Sequence, residues 1–505
     1  MSDPELLHRL VRAIGRARVY DVAHRTPLQR TEQLSQRLEQ QVFLKREDLQ
    51  RTHSFKCRGS YNRIVQLPLG CSGVVAASAG NHAQGVALGA REQGLPATIV
   101  MPRTTPRIKV QAVERYGPHI VLFGDNFDQA RTHAEKLAEE NGWQMIHPFD
   151  DFDVIAGQGT VGKEILDEEP DVDVVFVPVG GGGLLAGVAA WIKHLHPDCR
   201  IVAVEAEESA CFAAARAAGG PVDLNTVDSF ADGVAVKRIG ELAFSIANPL
   251  VDEVITVSAD AICAAIKAIY ENTRSIAEPA GALALAGLKR WVRQAPEPNL
   301  KLVAIVSGAN IDFHNLRYIS ERTELGERRE ALFAVTIPER PGAFLQLSRQ
   351  LHGRNVTEFN YRYCDDHQAQ IFIGVQTPGG RAEGQAVQRE LEQAGYPVLD
   401  LSDNEAAKLH LRYLMGGHSV TGDEVFYRFE FPERPGALVQ FLEALGSRWN
   451  ISLFHYRNHG AAMGRVLAGF QCPQKEEGQL HQALSETGYP FWDESENPAC
   501  RRFLA

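Results

Sequence analysis

A lysine and a run of glycines carry the chemistry most readily read from this chain. Lys56 stands in Ser54-Phe55-Lys56-Cys57-Arg58-Gly59-Ser60, between an aromatic side chain and a cysteine, just ahead of a helix-like run through Tyr61, Ile64 and Val65. A lysine in a partly apolar site has its charged form disfavoured, which leaves a nucleophilic amine able to form a Schiff base. Most lysines are instead solvated or snorkelling side chains, so the residue alone decides little. Gly180 to Gly183 follow the apolar run Val174-Val175-Phe176-Val177-Pro178-Val179 and precede a helix-like stretch from Leu184 to Leu195. Glycines let main-chain N–H groups close on an anion, and the dipole of the following helix adds positive potential at the same point. A tight turn or a nucleotide loop would use the same residues, although the GxGxxG spacing of a dinucleotide site is missing. A phosphate cradle combined with a Schiff-base lysine suggests pyridoxal phosphate, whose phosphate and aldehyde need those two elements.

Such groups must be delivered by regular elements. From about residue 20 to 312, short apolar runs alternate with helix-period stretches, and 73–77, 97–101, 120–123, 172–177, 201–204 and 302–306 are predicted strands. This is an α/β pattern with a largely parallel sheet. Ligands of such sheets sit beyond the carboxyl ends of strands. Three of those ends stand out: Ser78-Ala79-Gly80-Asn81-His82, the tetraglycine loop, and Ser307-Gly308-Ala309-Asn310. Asn81 suits a helix N-cap, and Ser307 a strand-end turn. His82 could be a base, but a histidine bonded to backbone at a helix start is the simpler reading. Glu278 precedes Pro279, Ala280, Gly281 and a small-residue helix, where an acid beside an N1 proline fits.

A length of 505 residues allows two or three domains, and the net charge of -11 argues against a nucleic-acid partner. The eight cysteines form no CxxC pair, which fits reduced thiols and gives no reason to expect a metal. No charge occurs from Val174 to Ile192, but Pro178 and the four glycines break that run, so strand, loop and helix are expected, with no membrane partner. The N-terminus lacks an apolar core, so a cytoplasmic location is expected.

Charges crowd between Glu321 and Glu330, and an internal repeat follows. Pro338-Glu339-Arg340-Pro341-Gly342-Ala343 returns 94 residues later as Pro432-Glu433-Arg434-Pro435-Gly436-Ala437. Phe333, Val335 and Ile337 alternate like a half-buried strand, as do Tyr427, Phe429 and Phe431. Asn355–Arg362 echoes Asn450–Arg457 one residue out of step. Two copies of one small α+β module are predicted, a regulatory or dimerising pair rather than an array. Each Pro-Gly-Ala step should start a helix whose amides could hold an amino-acid carboxylate. Arg362 and Arg457 could support an effector site or a subunit contact, or stand solvated.

Together, SFKCRGSYN, SAGNHAQGVA, GGGGLLAG, IAEPAGALA and IVSGAN resemble the fold-type II pyridoxal-phosphate enzymes of the serine/threonine dehydratase family, and the doubled tail resembles its ACT-like modules. The resemblance implies a tryptophan-synthase-β-like catalytic domain over residues 1–320, a linker at 321–330, and two ferredoxin-like ACT-like domains at 331–403 and 425–497. It implies that Lys56 bonds the cofactor aldehyde and takes the substrate α-proton, that Gly180, Gly181, Gly182, Gly183 and Leu184 hold the phosphate, that Asn81 faces the ring hydroxyl, and that Ser307 faces the pyridine nitrogen. A serine is a weak proton source, so the pyridine is less protonated and elimination competes well with transamination. The substrate carboxylate is expected on backbone N–H groups of Ser78, Ala79, Gly80, Asn81 and His82. The implied reaction removes water from L-threonine and yields 2-oxobutanoate and ammonia, with L-serine giving pyruvate. Isoleucine and valine are the implied effectors, and a homotetramer the implied assembly. Family racemases carry serine where this chain has Ala79, so racemisation is not expected. Cys57 replaces the leucine expected after the lysine, and Glu278 is implied near the cofactor ring. Some relatives hold a cation in the neighbourhood of Glu205 and Ser209, but the spacing differs here and no metal is expected. The alternatives are another fold-type II lyase such as a serine dehydratase or cysteine synthase, or an inactive amino-acid sensor.

Overall fold

A computed structural model describes residues 4–228, 230–294, 298–313, 315–326, 329–338, 346–347, 350–352, 354, 356–363, 368–411, 423–432, 448–457 and 463–504. The chain divides into two compact units, Met1–Leu316 and Arg317–Ala505.

The first unit is built on strands β1 (Leu28–Arg30), β2 (Gln41–Arg46), β3 (Val74–Ala77), β4 (Ala97–Met101), β5 (His119–Leu122), β6 (Gln144–Met145), β7 (Val174–Pro178), β8 (Arg200–Ala206), β9 (Glu253–Val257) and β10 (Lys301–Val306). They form two sheets, not the single one expected. The larger has the order β1-β2-β10-β7-β8-β9 and the smaller β5-β4-β3-β6. Every pairing is parallel except that of β1 with β2. All six predicted strands are present within two residues at either end. β7 is central and buried throughout, as its unbroken Val/Phe run requires of a strand covered on both faces.

Helices pack on the sheets closely enough to fix where their ends fall. A Cβ added to Gly187 would lie 2.5 Å from Ile155 O and 2.6 Å from Gly159 N, so helices Phe152–Glu168 and Gly183–Leu195 touch backbone to backbone. That contact holds the N-terminus of Gly183–Leu195 at the carboxyl end of β7. The apolar run from Val174 to Ile192 is thus strand, loop and helix. No helix among the described residues is long and apolar enough to cross a membrane.

Between the elements lies a buried, charge-balanced quartet. Arg58 contacts Glu47 and Glu164, each at 2.7 Å, and Lys45 contacts Glu164 at 2.7 Å. None of these four side chains is more than 1% exposed. Arg58 saturates both carboxylates in fork geometry, which offsets the cost of taking the ions out of water.

The second unit begins in helix Asn315–Gly326, so the charged stretch expected as a linker is helical as far as Gly326. It contains strands β11 (Glu330–Pro338), β12 (Val356–Tyr363), β13 (Gln368–Gln376), β14 (Val398–Asp400), β15 (Glu424–Pro432), β16 (Asn450–Arg457), β17 (Met463–Gln471) and β18 (Phe491–Asp493). Two antiparallel sheets of identical order result, β12-β13-β11-β14 and β16-β17-β15-β18. Leu332 pairs with Gly374, and Phe426 with Gly469. The first-strand partners are 94 apart and the third-strand partners 95, so the second copy has gained one residue between them. Both second strands carry a register break at the same place, Val356/Glu358 and Ile451/Leu453.

The expectation of a half-buried β11 is corrected, because Ala331 through Ile337 are all buried. Ala331, Phe333, Val335 and Ile337 face the module's own core with Val387 and Leu391. Leu332, Ala334 and Phe372 enter a second core shared with Phe426, Leu467 and Phe503 of the other copy. Asn404 and Asn497 cap equivalent helices, and Asn404 Nδ2 donates to Asn497 Oδ1 at 3.0 Å. The Pro-Gly-Ala steps at 341–343 and 435–437 lie outside the described residues, as do the side chains of Arg362 and Arg457; their backbones pair with Gln370 and Arg465.

Candidate active site

A cleft opens at the carboxyl ends of the strands, and Lys56, Asn81, Gly180–Leu184 and Ser307 all line it. Chain segments more than 200 residues apart are thereby brought to one place. The Phe55 N–H donates to Ser307 O at 3.1 Å and Ser54 bridges to Gly308, so the segment leading to Lys56 is laced to the end of β10. Lys56 then opens helix Lys56–Ile64. Its Nζ donates to Pro148 O at 2.9 Å and lies 5.2 Å from the Phe55 ring centre. Burial pushes the amine down to about 8, opposed by the Glu278 charge. Cys57 packs fully buried in the smaller lobe's core, its thiol pushed up to about 11 by burial.

The four glycines leave room where any side chain would fill it. A Cβ at Gly180 would sit 2.9 Å from Val234 Cα, one at Gly181 would overlap the Phe149 ring, and one at Gly183 would sit 2.6 Å from Phe149 O. Gly182, at φ 89°, is the N-cap of Gly183–Leu195. The first intrahelical bond is Ala186 N–H to Gly182 O, which leaves the amides of Gly183, Leu184 and Leu185 without helical acceptors. A cradle of bare amides at a helix start fits a phosphate.

Ser307 is buried just past β10, its Oγ 3.2 Å from Ala280 O. Asn81 is not the N-cap considered from sequence: Gly80 holds that position, and Asn81 is the first helical residue. Its Nδ2 donates to Glu278 Oε1 at 2.6 Å, and its Oδ1 accepts from Asn310 Nδ2 at 2.7 Å. Glu278 occupies the N-cap position of helix Pro279–Val292 but makes no side-chain cap bond; its carboxyl turns into the cleft instead. Burial, then the charge of Asp232, raises it to about 7, opposed by the Asn81 hydrogen bond.

Of Ser78–His82, only Asn81 lines the cleft. The Ser78 N–H is used by Val100 O at 3.1 Å and the Gly80 N–H by Ser78 Oγ at 3.2 Å, so the carboxylate site expected from five amides narrows to those of Ala79, Asn81 and His82. The His82 ring is turned away and buried, with Nε2 2.8 Å from Ile146 O and Nδ1 3.3 Å from Ser60 Oγ. Burial, with the Lys56 charge next, depresses it to about 3. Both Glu205 oxygens accept main-chain amides, Phe212 N at 2.7 Å and Ala213 N at 2.8 Å, so they cap a helix. Sequence reasoning missed Phe149, Val234 and Gln158 in the cleft wall and the bridging role of Asn310. Phe149, Val234 and Gln158 carry no local pattern that would have revealed them, while Asn310 stands in a strand-end segment singled out from sequence without a role of its own.

Two parallel lobes, with a lysine at a helix start facing a glycine cradle, define a fold-type II pyridoxal-phosphate enzyme. Residues 19–308 match the family described as pyridoxal-phosphate dependent enzyme, and residues 321–411 and 415–504 each match the C-terminal regulatory domain of threonine dehydratase. L-threonine dehydratase biosynthetic IlvA of Pasteurella multocida is 52% identical over 98% of this chain and 97% of its own, and that of Escherichia coli is 52% identical over the same shares. A solved structure of threonine deaminase isoform 2 from Solanum lycopersicum superposes with a TM-score of 0.62 at 46% identity, covering 63% of this chain and 94% of that one. The chain belongs to the biosynthetic threonine dehydratase family, with a pyridoxal-phosphate catalytic domain followed by two regulatory domains.

Proposed function

We propose that this enzyme deaminates L-threonine to 2-oxobutanoate and ammonia, accepts L-serine to give pyruvate, and is inhibited by isoleucine through its doubled tail, with valine opposing. The observation that carries the reading is Lys56 Nζ in the same cleft as the glycine cradle and Ser307. Pyridoxal phosphate, when bound, supplies the electron sink that makes the substrate α-proton acidic. The amides of Gly180–Leu184 would hold its phosphate, and Asn81 and Ser307, in the same cleft, would be the partners of its ring hydroxyl and ring nitrogen. Lys56 Nζ takes the α-proton, and its depressed basicity keeps a useful fraction of neutral amine near pH 8. The amides of Ala79, Asn81 and His82 receive the substrate carboxylate at the start of helix Asn81–Glu92. Ala79 offers only a methyl group, so no acid stands there to reprotonate the opposite face, and elimination is favoured over racemisation. Water lost from the β-carbon is returned when the product imine hydrolyses, so threonine becomes oxoacid and ammonia with no other reactant. The effectors are read onto the Pro-Gly-Ala steps, and the assembly as a homotetramer.

The test is a coupled assay for 2-oxobutanoate and ammonia from threonine with no thiol acceptor, run with serine in parallel and with isoleucine titrated in. Turnover on threonine that Lys56→Ala abolishes supports the reading. Thiol-dependent turnover alone, or a colourless protein that never retains the cofactor, overturns it.

A further inference from the structure

Asn310 closes the IVSGAN motif, and none of the cofactor or substrate roles proposed above uses it. Its Nδ2 donates to two acceptors at once, Thr52 O at 2.7 Å and Asn81 Oδ1 at 2.7 Å. Thr52 is fully buried, and a main-chain carbonyl can only accept, so the Asn310 amide cannot be reversed without leaving that oxygen facing another. Both Asn310 hydrogens are thereby spent. The second reaches Asn81 and fixes which end of that amide is oxygen. On the other side Asn81 Nδ2 donates to Glu278 Oε1 at 2.6 Å; that bond favours the ionised form against the burial that raises the carboxyl, and the ionised carboxylate can only accept. Glu278 is in turn seated by its own N–H on Gly308 O at 3.1 Å, and a Cβ at Gly308 would overlap its carboxyl. Two one-way partners therefore bracket one reversible amide.

We infer that Asn310 and Glu278 are positioning residues that lock the Asn81 amide with its nitrogen toward the cleft, leaving one Nδ2 hydrogen as a donor for an anionic ring oxygen of the cofactor. The inference rests on the reading of Asn81 as the partner of that ring oxygen. A reversed amide would present a carbonyl there, and repulsion would replace a hydrogen bond to a charged acceptor.

The test is titration of apoenzyme with pyridoxal phosphate, followed by the visible band of the bound cofactor. Asn310→Asp removes the donor that holds Asn81 Oδ1, and Glu278→Gln supplies a group able to donate where only an acceptor stood. Each is expected to shift the bound band and weaken cofactor retention about tenfold, the size of one lost charge-assisted bond, while Glu278→Asp, which keeps a pure acceptor, retains the band. If Asn310→Asp does not fold, Glu278→Gln, nearly isosteric with the native side chain, gives the same comparison against the shorter pure acceptor of Glu278→Asp. An unmoved band and retention within twofold of wild type, in folded Glu278→Gln or Asn310→Asp, overturns the inference. Asn81→Ala separates the two levels: if it too leaves the band unmoved, the reading of Asn81 itself fails.

Discussion

Lys56 and His82 are both pushed toward their neutral forms by burial, with opposite chemical results. Lys56 at about 8 still titrates within a working range, so its neutral fraction rises roughly tenfold per pH unit below that value and levels off above it. Capture of pyridoxal phosphate by apoenzyme, followed by stopped-flow absorbance, is therefore expected to accelerate from pH 6 to about 8 and then flatten. His82 at about 3 stays neutral throughout that range, with both ring nitrogens engaged. His82→Ala is expected to lower stability by about 1–3 kcal/mol, from the stranded Ile146 carbonyl and Ser60 hydroxyl, while kcat changes less than threefold. A hundredfold fall in kcat at unchanged melting temperature would make His82 a chemical participant after all. Lys56 and the glycines were legible in sequence because their chemistry is local. The Asn81–Glu278–Asn310 bridge was not, since its members meet only through tertiary folding and each has an ordinary local use, as cap, first-turn acid or turn residue.

At the scale of elements, the strands read correctly were the uniformly apolar ones. β2 was missed because Lys45 and Arg46 interrupt its hydrophobic pattern. Their charges are neutralised by partners distant in sequence or turned back on the chain, Glu164 for Lys45 and Asp48 for Arg46 at 2.7 Å, which no window of residues displays. β9 and the two-residue β6 were too short or too polar to register. The split into two sheets escaped for a related reason: strand order is set by which helices cover which faces. The quartet that hides β2 also braces the segment bearing Lys56, because Arg58 lies two residues beyond it on the same helix. Arg58→Met leaves Glu47 and Glu164 buried without their principal cation and is expected to cost about 3–5 kcal/mol. Urea denaturation of the apoenzyme, which removes any contribution from cofactor binding, measures it directly.

For the whole molecule, the repeat was legible as two copies, and its one-residue slip corresponds to a real insertion ahead of the second strand. What sequence could not convey was that each copy covers the other, since alternation predicted a solvated face where Leu332 and Ala334 are covered. Truncation after Glu330 removes both copies together and is expected to keep threonine turnover within about threefold while abolishing inhibition by isoleucine. Removing only residues after Leu411 should behave worse than removing more, because it uncovers that apolar face. Light scattering and activity of the two truncates check this: aggregation of the longer one alone is the expected result, and a monodisperse longer truncate would contradict it.

The hydrogen bond from Asn404 to Asn497 bears on how such a tail came to exist. A solitary ancestor of this repeat could have hidden its oily surface only against its own twin, through a two-fold axis on which each cap asparagine met its counterpart. In the present chain that counterpart is supplied in tandem, and a contact between equivalent asparagines is where a two-fold relating the copies would pass.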